Sequence, residues 1–347
     1  MDARARTWLG MPILLALSLV LAACGSSKSS SSPTSSGSGS GGGGNVSLVA
    51  YSTPQTAYDA IIKEFNKTSS GNGVKFKESF GASGDQSRAV DSGLAADYVG
   101  FSLEPDITRL VKDGKVAGNW DQNATKGMVT NSVVVLTVRK GNPKHITGWS
   151  DLTKPGIDVL VPNVFTSGGA RWDVMAAYGA QIKQGKTEAE ATQYLTDLYK
   201  NVSVQDSSAR AALQTFTGGK GDVLLGYEND AIFAQQKGEA IDYVVPDQTI
   251  LIENPVALTS TGVKNTAAKA FYDYVFTDPA QKIFAKNGYR PIVASAASGS
   301  GNNFPTPKTL FTIKDFSGWS AVMTKFFDPT KSIMADVERG KGVSTGK

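Results

Sequence analysis

The chain has 347 residues, 40% of them hydrophobic and 19% charged, with a formal net charge of +4 at neutral pH. That length can bury a sizeable core without disulfide support, and a single cysteine leaves no disulfide to help it. The mild charge is not gathered into a basic block of the kind that binds nucleic acid, and one histidine with one cysteine excludes a metal cluster built on those ligands.

The chain opens with Arg4 and Arg6, then an apolar run from Met11 to Leu21, then Leu21-Ala22-Ala23-Cys24. Basic, apolar and small residues in that order make a secretory signal peptide. The apolar run is well short of the ~20 residues a membrane-spanning helix needs, and no other segment is long and apolar enough. The Leu-Ala-Ala-Cys ending resembles the lipobox of bacterial lipoproteins. That resemblance implies that 1–24 is the signal, that Cys24 carries diacylglycerol, and that the folded part is extracytoplasmic and anchored to the bacterial cell membrane. Loss of Arg4, Arg6 and Asp2 with the signal leaves the mature chain one unit less positive. Residues 25–44 are almost entirely Ser and Gly, a flexible tether with a typical span of about 25 Å. The Gly39 to Gly44 run lacks the Gly-Lys-Ser/Thr ending of a phosphate loop and reads as linker.

Val46 to Tyr51 is an apolar run of strand type, broken by Ser52-Thr53-Pro54. Tyr58, Ile61, Ile62 and Phe65 then recur at helical spacing. Val74-Lys75-Phe76 reads as a short second strand, and Ala96 to Leu103 contains a third. Val133 to Val138, rich in β-branched residues, is the strongest strand. Val159-Leu160-Val161, Val202-Ser203-Val204 and Val223-Leu224-Leu225 read as further buried strands. Helical patterns span Trp172 to Ile182, Glu188 to Lys200, Ala209 to Phe216 and one long stretch from Thr266 to Phe284. Gly288-Tyr289-Arg290-Pro291 follows, and the tail from Phe304 mixes turns with short helices. Alternation of strand and helix predicts an α/β fold with largely parallel sheets.

Three predicted helix starts share one chemistry. Gly81-Ala82-Ser83-Gly84 opens a helix beginning near Asp85, Thr166-Ser167-Gly168-Gly169 opens the one carrying Trp172, and Asp206-Ser207-Ser208 opens the one carrying Ala209. Each follows a strand and is small and polar. The first turn of a helix has N–H groups without helical partners, and its dipole amounts to roughly half a positive charge. Glycines let an anion reach those groups, which makes each start an anion site. Ordinary N-caps prefer the same residues, so one start alone would be only a cap. Each end contributes about 0.3–2 kcal/mol and each charge-assisted hydrogen bond ~1.5–3 kcal/mol. Three converging ends therefore reach the ~8 kcal/mol of a micromolar site.

Further stretches carry a family resemblance: Ser83-Gly84-Asp85-Gln86, Val138-Arg139-Lys140-Gly141-Asn142-Pro143-Lys144, Trp149-Ser150-Asp151-Leu152, Lys154-Pro155-Gly156 and Ser167-Gly168-Gly169-Ala170-Arg171-Trp172. Gly221-Asp222-Val223-Leu224-Leu225, Glu228-Asn229 and Tyr289-Arg290-Pro291 complete the set. In this order and spacing the chain resembles the periplasmic sulfate-binding proteins of ABC transporters, in the lipid-anchored style of Gram-positive bacteria. The resemblance implies a two-lobe periplasmic binding protein fold of type II. Each lobe would be a mostly parallel sheet flanked by helices, with the ligand in the cleft. Lobe one would hold 45–132 plus 256–347 and lobe two 133–255, with crossings near Val133 and Pro255 as hinges. Carried onto this chain, the anion donors are the backbone of Ser83, Gly168, Gly169 and Ala209 and the hydroxyl of Ser167. Arg171 and Arg210 stand behind them.

The family's indole donor falls at Tyr227, and its first-loop aspartate at Ser52. Those departures leave sulfate, thiosulfate, molybdate and phosphate as ligands to be distinguished. Sulfate needs donors only, whereas phosphate carries a proton and needs an acceptor, for which Asp85, Asp206 and Glu228 lie near. The implied partners are an ABC permease with its ATPase, and the membrane through Cys24. The implied protein is a monomer without cofactor, catalytic residue or metal. A sensor ectodomain would use the same fold. A secreted hydrolase gains little, because Gly81-Ala82-Ser83-Gly84-Asp85 lacks the closing glycine of a nucleophile elbow and His145 sits in a turn-like segment.

Overall fold

The structure, a computed structural model, describes residues 43–343 and 345. The predicted signal, Cys24 and all but the last two residues of the expected tether lie outside the described residues. The fold begins with β1 (Gly44–Tyr51), α1 (Gln55–Phe65), β2 (Val74–Gly81), α2 (Ser83–Asp91), β3 (Tyr98–Gly100) and α3 (Glu104–Lys112). β1 runs parallel to both β2 and β3, with Leu48 opposite Glu78 on one side and Tyr98 on the other. It is covered on both faces, which explains its near-continuous apolar sequence. Val46, Leu48 and Ala50 pack with Tyr58, Ile61 and Phe65 of α1, while Val49 packs with Val99, Phe101 and Ile107. β2 extends five residues beyond the expected Val74-Lys75-Phe76, because pairing with all of β1 satisfies its backbone despite its polar side chains.

β4 (Met128–Arg139) leads into a second group: β5 (Val159–Leu160), α4 (Gly168–Lys183), α5 (Glu188–Lys200), β6 (Val202–Val204), α6 (Ala209–Thr217), β7 (Val223–Tyr227), α7 (Glu228–Gln236), β8 (Ile241–Val244) and β9 (Gln248–Leu258). β5 is parallel to β6 and β7. β4 and β9 run antiparallel, Val133 facing Leu251. Beyond that point β4 continues along β7, and in the other direction β9 continues along β3. The strand order β2-β1-β3-β9-β4-β7-β5-β6 thus joins two helix-flanked sheets through two long crossing strands. β6 is an edge strand with Ser203 exposed and Val204 half-buried, so it is not the fully buried strand its two valines predict.

The chain ends with α8 (Thr266–Val275), α9 (Asp278–Lys286), β10 (Arg290–Pro291), β11 (Thr309–Phe311), α10 (Gly318–Phe326) and α11 (Ile333–Gly340). The long helix expected from Thr266 to Phe284 is two helices. Pro279 has no N–H to donate, and it sits in the first turn of α9 where none is needed. Phe271, Val275 and Phe284 join the core of the first sheet. The tail divides from them: Phe311, Trp319, Val322, Phe326 and Met334 enter the core around α4 and α5. Trp319 meets Trp172 edge to face at 4.6 Å. This placement differs from the expected grouping of all of 256–347 with 45–132. Apolar burial against α4 decides it, and chain proximity does not. No helix among the described residues is long and apolar enough to cross a membrane.

Candidate functional site

In parallel sheets the strands' C-terminal ends and the following helix starts gather at one edge, where ligands bind. Here β1, β2 and β3 deliver one wall, and the starts of α4 and α6 with the end of β7 deliver the other. Together they line one small cavity. The first wall is Tyr51, Ser52, Thr53, Gly81, Ala82, Ser83 and Ser102; the second is Ser167, Gly168, Gly169, Ser208, Ala209 and Tyr227. Every anion-contacting residue expected from sequence lines this one cavity, while Arg171 and Arg210 lie outside its wall.

The donors on offer follow from the caps. The backbone N–H groups of Ser83, Gly168, Gly169 and Ala209 have no protein acceptor among the described residues. Ser167 caps α4, its Oγ accepting from the Ala170 N–H at 3.4 Å, which leaves its own proton for another acceptor. Ser208 caps α6 through the Ala211 N–H at 3.2 Å. Ser83 differs. Its hydroxyl donates to Asp106 Oδ2 at 2.6 Å and accepts from the Ser102 N–H at 3.0 Å, so only its backbone faces the cavity. α2 begins at Ser83 and not near Asp85, because the extended Ala82 is the capping residue. Gly168 has to be glycine: a β-carbon there would come within 2.2 Å of Leu103 Cδ2 and 2.7 Å of Ser102 Oγ.

No carboxylate, lysine, arginine or histidine lines the wall among the described residues. Glu228 is fully buried and takes Arg290 Nε at 2.7 Å and Nη2 at 2.9 Å. Burial raises its carboxyl and Arg290 draws it back. Asp85 pairs with Arg88. Asp206 stays off the wall with a buried Oδ2 that lacks a partner. Arg171 is buried at 4% exposure with Nε donating to the Val164 carbonyl at 2.9 Å. Burial lowers its pKa, partly countered by nearby Asp106. Arg210 stacks 4.1 Å over Phe233 and donates through Nη2 to the Thr53 carbonyl at 2.7 Å. His145 is an exposed turn residue with a positive φ.

Contacts between the walls close the cavity. The Gly84 N–H donates to the Thr166 carbonyl at 3.2 Å, and the Ser102 and Tyr227 hydroxyls meet at 2.7 Å. Trp172 does not line the cavity, but its Nε1 donates to the Ser102 carbonyl at 2.8 Å. Tyr51, Thr53, Ser102 and Ser208 are wall residues that the sequence reading did not single out. Ser208 stood within a quoted capping triplet. Ser102, at the end of β3 before Leu103-Glu104-Pro105, shows the same small polar step from strand to helix. A wall of N–H and hydroxyl groups without a carboxylate suits an oxyanion that carries no proton.

The model of the family described as bacterial extracellular solute-binding protein matches residues 46–290. The chain is 44% identical over 292 residues to a sulfate-binding protein of Synechococcus elongatus, covering 81% of this chain and 83% of that one. It is 33% identical over 281 residues to a thiosulfate-binding protein of Pseudomonas aeruginosa, covering 78% and 85%. Among solved structures, the sulfate-binding protein SubI from Mycobacterium tuberculosis superposes with a TM-score of 0.79 at 43% identity, covering 82% of this chain and 99% of that one.

Proposed function

The chain belongs to the bacterial extracellular solute-binding protein family, and on that premise we propose that it captures sulfate outside the cytoplasmic membrane and hands it to an ABC permease with its ATPase. The observation that carries this reading is the convergence of the α2, α4 and α6 starts on one cavity whose wall holds free N–H groups and no carboxylate. The proposed donors are the backbone of Ser83, Gly168, Gly169 and Ala209 and the hydroxyl of Ser167. Ser52 and Tyr227 complete the wall, and Arg171 and Arg210 act from behind it. The relative named for sulfate is more similar than the one named for thiosulfate, 44% against 33% identical. No catalytic residue, metal or cofactor enters this reading.

Two lobes would move about β4 and β9, with the tail 304–347 travelling with the lobe that carries α4. Closure would bury the anion and create the surface that the permease reads. Diacylglycerol on Cys24 would hold the monomer at the membrane by its tether. The test is calorimetric titration of the full-length chain with sulfate, thiosulfate, molybdate and phosphate between about pH 6 and pH 9, a range in which sulfate carries no proton. Sulfate binding that is flat in pH, with phosphate excluded, is the expected result. Preference for thiosulfate or molybdate would replace the ligand and keep the site. Failure to bind any of the four would reduce the three helix starts to ordinary caps.

A further inference from the structure

Leu103 stands in an unusual place. It is the residue before α3, at the helix's capping position, with extended backbone and no side-chain cap. Leucine is among the poorest residues for that position, so capping gives no reason for it. Its neighbours Phe101 and Ile107 pack with Val49 and Val99 in the core of the first sheet. Leu103 is fully buried, yet it belongs to the other apolar cluster, around α4 and α5, with Trp172 and Trp319.

α4 receives it at two points. Gly168 leaves the space that Leu103 fills, since a β-carbon there would come within 2.2 Å of Leu103 Cδ2. Trp172 lies four residues on, on the same face of the helix. Its Nε1 donates to the Ser102 carbonyl at 2.8 Å, and Trp319 from the C-terminal tail backs its ring edge to face at 4.6 Å. One apolar and one polar contact thus join the Ser102-Leu103 turn to the start of α4. Leu103, Trp172 and Trp319 all stay off the cavity wall. Gly168 serves both sides, with its N–H free for the anion and its bare α-carbon against Leu103.

We propose that Leu103 and Trp172 form the latch that sets how long the anion is held, with Trp319 bracing the indole. This rests on the two-lobe closure proposed above and adds the residues that keep the lobes together. When the lobes part, Leu103 would return to water, and the indole N–H and the Ser102 carbonyl would lose each other as partners. Both contacts form only after the anion has entered, so they act on its release and not on its capture. The three side chains are positioning residues, and the tail acts on the site through Trp319 without reaching its wall.

The experiment times the uptake and release of labelled sulfate by the full-length chain and by Leu103→Ala, Trp172→Phe, Trp319→Ala and the double variant of the two tryptophans. A thermal melt of each unliganded chain accompanies it. Leu103→Ala should release sulfate about ten- to hundredfold faster, as several carbons withdrawn from a core predict, with association within about twofold of wild type. Trp172→Phe keeps a ring against Trp319 and loses the N–H, so release should quicken about two- to tenfold. Trp319→Ala should quicken release too, and the double variant should show less than the combined effect of the two. A merely structural role would lower the unliganded melt and leave the release rate where it was. If Leu103→Ala fails to fold, Leu103→Val removes one methylene and should release sulfate about three- to fivefold faster. Unchanged release in the Leu103 and Trp172 variants, or a weaker affinity carried by slower association, would overturn the latch. A wild-type chain that binds no sulfate would overturn the functional reading itself, and the latch with it.

Discussion

Gly169→Asp isolates the site from the fold. Gly169 lies in the first turn of α4, and a β-carbon built on it stands 3.5 Å from Ala209 Cβ, Ser167 Oγ and Tyr227 Cε1. All three belong to the cavity wall, so the new β-carbon is accommodated beside the donors. Replacing a helical glycine also removes its excess chain entropy, worth about 0.5–1 kcal/mol, so the fold should hold. The carboxylate would take the place of the ligand. At about 4 Å, with an effective dielectric near 20, each pair of unit charges costs about 4 kcal/mol, hence about 8 kcal/mol against a dianion. That equals the whole free energy of a micromolar complex. Calorimetry should therefore show no sulfate binding, with a thermal melt at or above that of the unliganded wild type. Unchanged sulfate affinity in a natively folded Gly169→Asp would refute the assignment of the α4 start.

Gly168→Ala should act differently, because its β-carbon would strike Leu103 and Ser102 across the seam. Overpacking of about 1–3 kcal/mol would fall on the closed state, read as a roughly five- to hundredfold weaker sulfate affinity by calorimetry. Arg290→Ala would leave Glu228 as an unpaired buried carboxylate, costing about 3–5 kcal/mol by denaturant unfolding at neutral pH. The deficit should shrink in acid as Glu228 takes a proton. Asp230 is buried, and burial pushes its carboxyl up to about 6 against the pull of Arg210. Between pH ~4 and ~6 the folded state holds this proton and the unfolded state does not, so stability falls as pH rises through that window. Asp230→Asn should accordingly be more stable than wild type above pH ~7, by up to about 3 kcal/mol, and equal to it below pH ~4 in melting experiments.

Local chemistry was legible without the structure. Glu188–Lys200 is bounded as its pattern predicts, because Thr187 and Glu190 cap its start reciprocally within four residues. The starts of α4 and α6 were legible for the same reason, Ser167 and Ser208 capping them locally, whereas α2 starts two residues before its expected place because Ala82 offers no side-chain cap to mark it. The apolar runs of β1 and β4 identified buried strands, as burial on two faces removes polar residues. The break between α8 and α9 was signalled by Pro279, and helical periodicity on both sides hid it.

Tertiary structure alone decided what meets across long separations in the chain. Ser102 and Tyr227 are brought to 2.7 Å by the pairing of β4 with β7 and β9 with β3, and no spacing in the sequence encodes that distance. The family resemblance sets Arg171 behind the donors, but only the packing of α4 buries it and turns it to the Val164 carbonyl. The tail's choice of α4 and α5 over the first sheet depends on which apolar surface remains uncovered once the sheets have formed. Hydrophobic burial is non-directional and carries no address in the chain, so the sequence determines which residues must be covered and only the assembled fold determines what covers them.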